Sequence, residues 1–302
     1  MLPSPTSRPL QETLTAWSEL LSPYTVRINR TIASWLNQQE AHQLSSSCRY
    51  ALTTGGRRVR PAIVYMIADA LSSDSVVDQV ALAIELFHTA SLIADDLPCM
   101  DDEEQRRNRP SLHRVHGELM ALLTSYALIA EGYRCFAKNS QQLHQAGPLL
   151  AQRADAICTI ALEIAAKNTG IEGATAGQFL DLCHPSADRE QLRKVVELKT
   201  VSLFEIAFVS GWLYGGGEVD RLATVRRAAY HYGMAFQIAD DIRDAPRDRL
   251  QIGGINYLIS CGADQTLADS CEAIENYRAA LAELEIATPP LLALGDLLRL
   301  LP

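Results

Sequence analysis

Residues 76–96, VVDQVALAIELFHTASLIADD, decide the architecture. Apolar side chains recur at helical spacing along the whole run, and Pro98 breaks the regular turn just beyond it. Working outward, residues 61–70 (PAIVYMIADA) open with proline in the first-turn position that helices favour. Further helical stretches are expected at about 117–137, 149–167, 174–182, 188–214, 219–244 and 265–285. The connections fall at Gly170, at 184–187 (HPSA), at the triple glycine 215–217 and at Pro246, where glycine flexibility and proline geometry stop helices. Alternating strand-like runs are nearly absent. The expectation is an all-α protein: a large helical bundle around a central cavity, with residues 1–302 forming a single domain.

Bulk composition narrows the classes of function. Hydrophobic residues make up 48% and charged residues 21%, enough to fill a large core, and glycine (17) and proline (13) are sparse. The formal charge of -9, from 36 acidic and 27 basic residues, argues against nucleic acid or an anionic membrane as partner. Seven cysteines at irregular spacing, without a C-x-x-C pair, read as reduced thiols and point to a cytoplasmic setting. No signal sequence is expected in MLPSPTSRPL, and no run approaches the roughly 20 apolar residues that span a bilayer.

Two acidic clusters stand out. Residues 92–102 read LIADDLPCMDD, with Asp95 and Asp96 ending the apolar helix and Asp101 and Asp102 following Pro98. An acidic helix end facing water is the plain alternative. Yet four carboxylates at a helix C-terminus oppose both each other and the helix dipole unless a cation compensates, and hard oxygen ligands suit Mg²⁺. Residues 236–244 read FQIADDIRD, which puts Gln237, Asp240, Asp241 and Asp244 at i, i+3, i+4 and i+7 on one helical stripe. Only Arg243 lies nearby as a counter-charge. One such stripe is commonly a solvated face; two acidic clusters, each ending an apolar helix, argue for a metal site.

Basic groups complete the picture. In GGRRVRP (55–61), two glycines let the backbone approach a ligand, and three arginines suit the bidentate grip of a diphosphate. Arg106 and Arg107 follow the first acidic cluster within QRRNRPSLH, and His88 lies seven residues before Asp95 on the same helix face. Lys199-Thr200 interrupts the helix at 188–214, and Gln178 and Asp181 lie in GQFLDL. Taken singly, His88 reads as a core histidine, Lys199 as a residue that snorkels to the surface, and Gln178 as a core amide.

These motifs, in this order from about Gly55 to Tyr257, resemble the trans-type prenyl diphosphate synthases, the group that includes farnesyl and geranylgeranyl diphosphate synthases. The resemblance implies an isoprenoid-synthase fold, usually a homodimer, with Mg²⁺ as cofactor and isopentenyl diphosphate and an allylic diphosphate as substrates. It implies that Asp95, Asp101 and Asp240 bind Mg²⁺, supported by Asp96, Asp241 and Asp244. Arg106, Lys199 and Gln237 would contact the allylic diphosphate or its surroundings, and Arg57, Arg60, His88 and Arg107 the diphosphate of isopentenyl diphosphate. Thr200 and Gln237 would face the developing carbocation. Three departures stand out: Arg57 replaces the usual lysine, Ala94 a histidine common before the paired aspartates, and DAPRDRLQIGGINYLIS (244–260) the usual glycine-lysine segment. Arg247 or Arg249 would then stand in for the missing lysine.

In that family the residues just before the first aspartates floor the product pocket. Ala90 and Ser91 are small, which favours geranylgeranyl over farnesyl diphosphate as product. Two other readings compete: a non-catalytic partner subunit of the same fold, and another Mg²⁺-dependent diphosphate enzyme such as a terpene cyclase or head-to-head synthase. Two intact aspartate motifs oppose the first, and a separate isopentenyl site at GGRRVRP, His88 and Arg107 opposes the second.

Overall fold

In the computed structural model, which describes residues 10–71, 76–183, 188–248 and 256–299, the run at 76–96 forms a helix over Asp78–Asp95. Val80, Leu82, Ile84, Leu86 and Phe87 point in different directions around its axis and are all buried, so the helix is apolar on every side. Helices in chain order are α1 (Leu10–Asn37), α2 (Gln43–Thr53), α3 (Val59–Leu71), α4 (Asp78–Asp95), α5 (Leu112–His116), α6 (Glu118–Leu143) and α7 (Pro148–Thr169). They continue as α8 (Ala174–Cys183), α9 (Arg189–Val196), α10 (Ser202–Tyr214), α11 (Leu222–Asp248), α12 (Tyr257–Cys261), α13 (Ala263–Glu283) and α14 (Pro289–Leu298). A π-helical turn at Glu197–Val201 joins α9 to α10, and a 3-10 turn at Val219–Arg221 leads into α11. The strands found among the described residues are β1 (Gln105–Arg106) and β2 (Arg109–Pro110), paired antiparallel. The all-α expectation holds.

Backbone contacts group the chain into two compact units. One comprises Pro23–Thr169 with Ile206–Val219, and the other Met1–Ser22, Gly170–Glu205 and Asp220–Pro302. In the first, α4 packs against α6 and α3. In the second, α11 packs against α13, α12 and the π turn, and α8 lies on the same turn. There Gly177 is required by close approach, because a Cβ on it would stand 2.3 Å from the Lys199 amide nitrogen. In the same unit Phe204, Tyr232 and Phe236 pack ring to ring, with centroids 5.0–6.2 Å apart.

Several expected boundaries shift. Pro246 does not stop its helix: α11 runs on to Asp248, because a proline in the last turn removes one hydrogen bond near an end already short of them. The stretch 188–214 is continuous but underwound into a π turn at Lys199-Thr200. Helices α1, α2 and α14 were not expected at all. The HPSA connection at 184–187 and Arg249 lie outside the described residues, as does the side chain of Arg247. No helix among the described residues is long and apolar enough to cross a membrane.

The start of α4 is secured from a distance. Val77, at the N-cap, offers no side-chain acceptor. Instead the buried Asn139 of α6 accepts from the Gln79 and Val80 amides, both at 3.2 Å, and donates to the Val76 carbonyl at 2.7 Å. Its amide therefore does the work of a cap and ties α6 to α4. Asn139→Ala is expected to lower stability by about 1–3 kcal/mol in urea unfolding; a midpoint equal to wild type would contradict this role.

Candidate active site

The first acidic segment folds back on itself. Beyond Asp95 the Leu97 amide donates to the Ala94 carbonyl (3.2 Å), Met100 to Leu97 (2.8 Å) and Asp102 to Leu97 (3.1 Å). These turns carry the chain round Pro98 so that the Asp101 amide reaches the Asp95 carbonyl at 2.9 Å. Asp95 is half-buried and Asp101 exposed. Asp96 is buried, and its carboxylate accepts from Arg106 Nε at 2.9 Å and from Arg106 Nη2. Burial pushes the Asp96 carboxyl up, against the pull of Arg106.

Arg106 and Arg107 are sent different ways by the hairpin. The two loop residues between its strands, Arg107 (φ 55°) and Asn108 (φ 60°), both adopt the left-handed conformation of a type I′ turn. Arg106 turns to Asp96, whereas Arg107 lies across the glycine loop and donates through Nη1 to the Gly55 carbonyl. Gly56 sits at φ 118°, and a Cβ there would stand 2.4 Å from Arg107 Cζ. The glycine pair thus provides both the backbone conformation and the space that seat this guanidinium.

The three arginines of GGRRVRP also divide. Arg58 is 5% exposed; it pairs with Glu85 of α4, donates to the Leu52 carbonyl, and reaches Asn29 at 3.3 Å. Arg57 and Arg60 are half-buried, and Arg60 Nη1 lies 3.4 Å from His88 Nε2. Burial, then Arg60, Arg107, Arg58 and Arg106, hold the His88 imidazole well below its usual range, so it is neutral. Since a guanidinium only donates, Nε2 is assigned as acceptor and Nδ1 as the protonated nitrogen; Nδ1 is buried and has no hydrogen-bond partner among the described residues. A small cavity of about 30 Å³ opens beside Asp96, Arg106, Arg107, Thr89 and Ser111. A larger one of about 540 Å³ in the same unit, by Arg30, Trp35 and Lys138, includes none of the expected site residues.

The second cluster belongs to the other unit. Arg243 compensates two aspartates of its own helix, with Nη1 2.8 Å from Asp240 and Nε 3.1 Å from Asp244. Asp241 is different: it is buried, with Oδ1 accepting from Gln237 Nε2 and Oδ2 from the Tyr257 amide, each at 2.7 Å. Burial carries its pKa up to about 7, against these two donors. Gln237 in turn accepts from the Thr200 hydroxyl at 2.7 Å. Lys199 does not snorkel outward but pairs with Asp181 of α8. The π turn places both side chains of the Lys-Thr pair, as such bulges do at functional positions.

Among the described residues no three Asp, Glu, His or Cys side chains converge into a metal cage. Mg²⁺ does not need one, since it retains waters and commonly uses one or two carboxylates together with substrate phosphate oxygens. The Asp95–Asp101 turn and the Asp240–Asp244 stripe fit that donor set. The sequence reading did not find Glu85, Asn256 or Tyr257, which are legible only through their partners. Gly56→Ala, which both strains the loop and evicts Arg107, is expected to weaken the binding of inorganic pyrophosphate about tenfold by calorimetry. Undiminished affinity would show that the seat of Arg107 does not matter to anion binding.

Geranylgeranyl pyrophosphate synthase 11, chloroplastic, of Arabidopsis thaliana is 34% identical over 242 residues, covering 76% of this chain and 65% of that protein. The chain thus spans slightly less than two thirds of that relative's length. A geranyltransferase from Legionella pneumophila superposes with a TM-score of 0.80 at 28% identity, covering 95% of this chain and 98% of the other. An FPP/GFPP synthase from Zymomonas mobilis gives 0.77 at 26% identity, covering 94% and 98%. The polyprenyl synthetase family model matches residues 41–256, more than half of the sequence and inclusive of both aspartate motifs. The chain belongs to the polyprenyl synthetase family.

Proposed function

We propose that the protein is a short-chain prenyltransferase that condenses isopentenyl diphosphate with an allylic diphosphate (dimethylallyl, geranyl or farnesyl), using Mg²⁺ and releasing geranylgeranyl or farnesyl diphosphate. The observation that carries this reading lies within one unit: a turn that brings Asp101 back to Asp95, beside a basic set of Arg60, His88 and Arg107 around a glycine loop. The names of the relative and of the solved structures support it.

Asp95, Asp101 and Asp240 are assigned to Mg²⁺, with Asp96, Asp241 and Asp244 in supporting roles. Bound metal would neutralise the leaving diphosphate and so favour ionisation of the allylic C–O bond. Arg106 and Lys199 add positive charge for the same diphosphate. Arg57, Arg60 and Arg107 bind the diphosphate of isopentenyl diphosphate, and His88 stands against Arg60 in the same set without adding another buried charge. Thr200 and Gln237 present polar oxygens to the carbocation, and apolar helix faces keep water from it. The departing diphosphate takes the final proton, so no side chain is named as general base.

Ala90, 1% exposed on α4, is assigned to the floor of the product pocket and favours the geranylgeranyl product. A homodimer and a reducing, cytoplasmic setting belong to the same proposal. The apolar stripe Leu119, Leu122, Leu123 and Tyr126, exposed on α6 at i, i+3, i+4 and i+7, supports the first, and seven free thiols are compatible with the second.

Incubation with Mg²⁺, isopentenyl diphosphate and each allylic primer is expected to give geranylgeranyl diphosphate by chromatography, and Ala90→Tyr a shorter product. Turnover with no primer would contradict the enzyme reading and favour a non-catalytic partner subunit. Unchanged product length in Ala90→Tyr would remove Ala90 from chain-length control.

A further inference from the structure

We propose that Tyr257 and Asp269, neither of which touches substrate, are positioning residues that set Gln237 and Thr200 through Asp241. The inference rests on the proposed reaction and deepens it by specifying how Asp241 contributes. Every link lies within one unit.

A continuous line of hydrogen bonds carries the argument. The Thr200 hydroxyl donates to Gln237 Oε1, Gln237 Nε2 donates to Asp241 Oδ1, and the Tyr257 amide donates to Asp241 Oδ2, each at 2.7 Å. Both oxygens of Asp241 are therefore engaged by protein donors. The amide of Gln237 is held at both ends, which fixes its orientation.

Tyr257 begins α12, and two anchors aim its amide. Asn256, fully buried, donates through Nδ2 to the Asp241 carbonyl and to Asp248 Oδ2, each at 2.8 Å, while its Oδ1 caps α12 at the Ile259 amide (3.2 Å). At the other end the Tyr257 hydroxyl donates to Asp269 Oδ2 at 2.6 Å. Asp269 is gripped by Arg189, with Nη2 at 2.6 Å and Nε at 3.3 Å, and by Gln265 at 2.9 Å. The tyrosine side chain is thus locked to α13 and α9 and its backbone to α11. Such a connected network favours one arrangement, since losing a link strands a buried polar group.

Tyr257→Phe deletes only the hydroxyl anchor. Tyr277→Phe serves as control, because the Tyr277 hydroxyl is an equally buried donor in the same unit, bonded to the Leu291 carbonyl at 2.8 Å and outside the line. Tyr257→Phe is expected to lower kcat about tenfold with both KM values within about twofold of wild type. Combined with Thr200→Val it should cost no more than Thr200→Val alone, whereas independent losses would multiply. The ¹⁵N signals of the Gln237 side-chain amide should move in Tyr257→Phe and in Asp269→Ala, and stay in place in Tyr277→Phe. If Tyr257→Phe loses only stability, as Tyr277→Phe does, with kcat and the Gln237 signals unchanged, the inference is overturned. Should the wild-type protein make no product, the prenyltransferase reading fails, and the Gln237 signals alone decide whether the line of positioning bonds exists.

Discussion

Carboxylates gathered at the ends of buried helices must be offset by cations or hydrogen-bond donors, and the local architecture follows from how this chain supplies them. The C-terminus of α4 is already the negative end of its dipole, yet Asp95 and Asp96 sit there with Asp101 folded against them. A two-residue hairpin loop with an uncommon backbone conformation delivers Arg106 to Asp96. On α11, Asp240 and Asp244 repel at i and i+4, and Arg243 stands between them and pairs with both. Asp241, buried on the same helix, is satisfied by a side-chain amide and a backbone amide. Adjacent aspartates in each motif therefore carry different roles, as exposure and partner decide.

The arginines follow the same logic. In GGRRVRP, Arg58 is spent on a buried ion pair with Glu85, while Arg57 and Arg60 remain half-buried. Removing one partner of such a pair would leave an uncompensated buried charge, so its presence stiffens the loop whether or not it adds net stability. Burial, aided by the surrounding positive field, holds the His88 imidazole well below its usual range. The glycine loop is thus held by Arg107 on one side and Arg58 on the other.

Much of this was legible in the sequence because periodicity and spacing are local. The apolar run of α4, the i, i+3, i+4, i+7 stripe of α11 and the glycine stops before α8 and after α10 all report short-range geometry. Helix α1 was missed although Trp17, Leu21, Ile28, Ile32 and Trp35 form one buried stripe, because Pro23 interrupts it and breaker residues weigh heavily in a single sequence. Pro246 misled for the same reason. The cap of α4 by Asn139, 60 positions from the Gln79 amide it serves, has no local signature. The same holds for Tyr257, whose importance lies in a backbone amide and a hydroxyl directed at residues 16 and 12 positions away. The π turn at Lys199-Thr200 packs against Gly177, a tertiary contact that spacing cannot disclose.

If the acidic motifs hold cations shared with a diphosphate, anion binding must depend on the metal. Calorimetric titration of a non-ionising thio analogue of dimethylallyl diphosphate, with and without Mg²⁺, reads the coupling between anion and metal. Affinity about a hundredfold higher with the metal, or about 2.7 kcal/mol, is expected, with loss of that gain in Asp95→Asn. Equal affinity in the presence and absence of Mg²⁺ would contradict it.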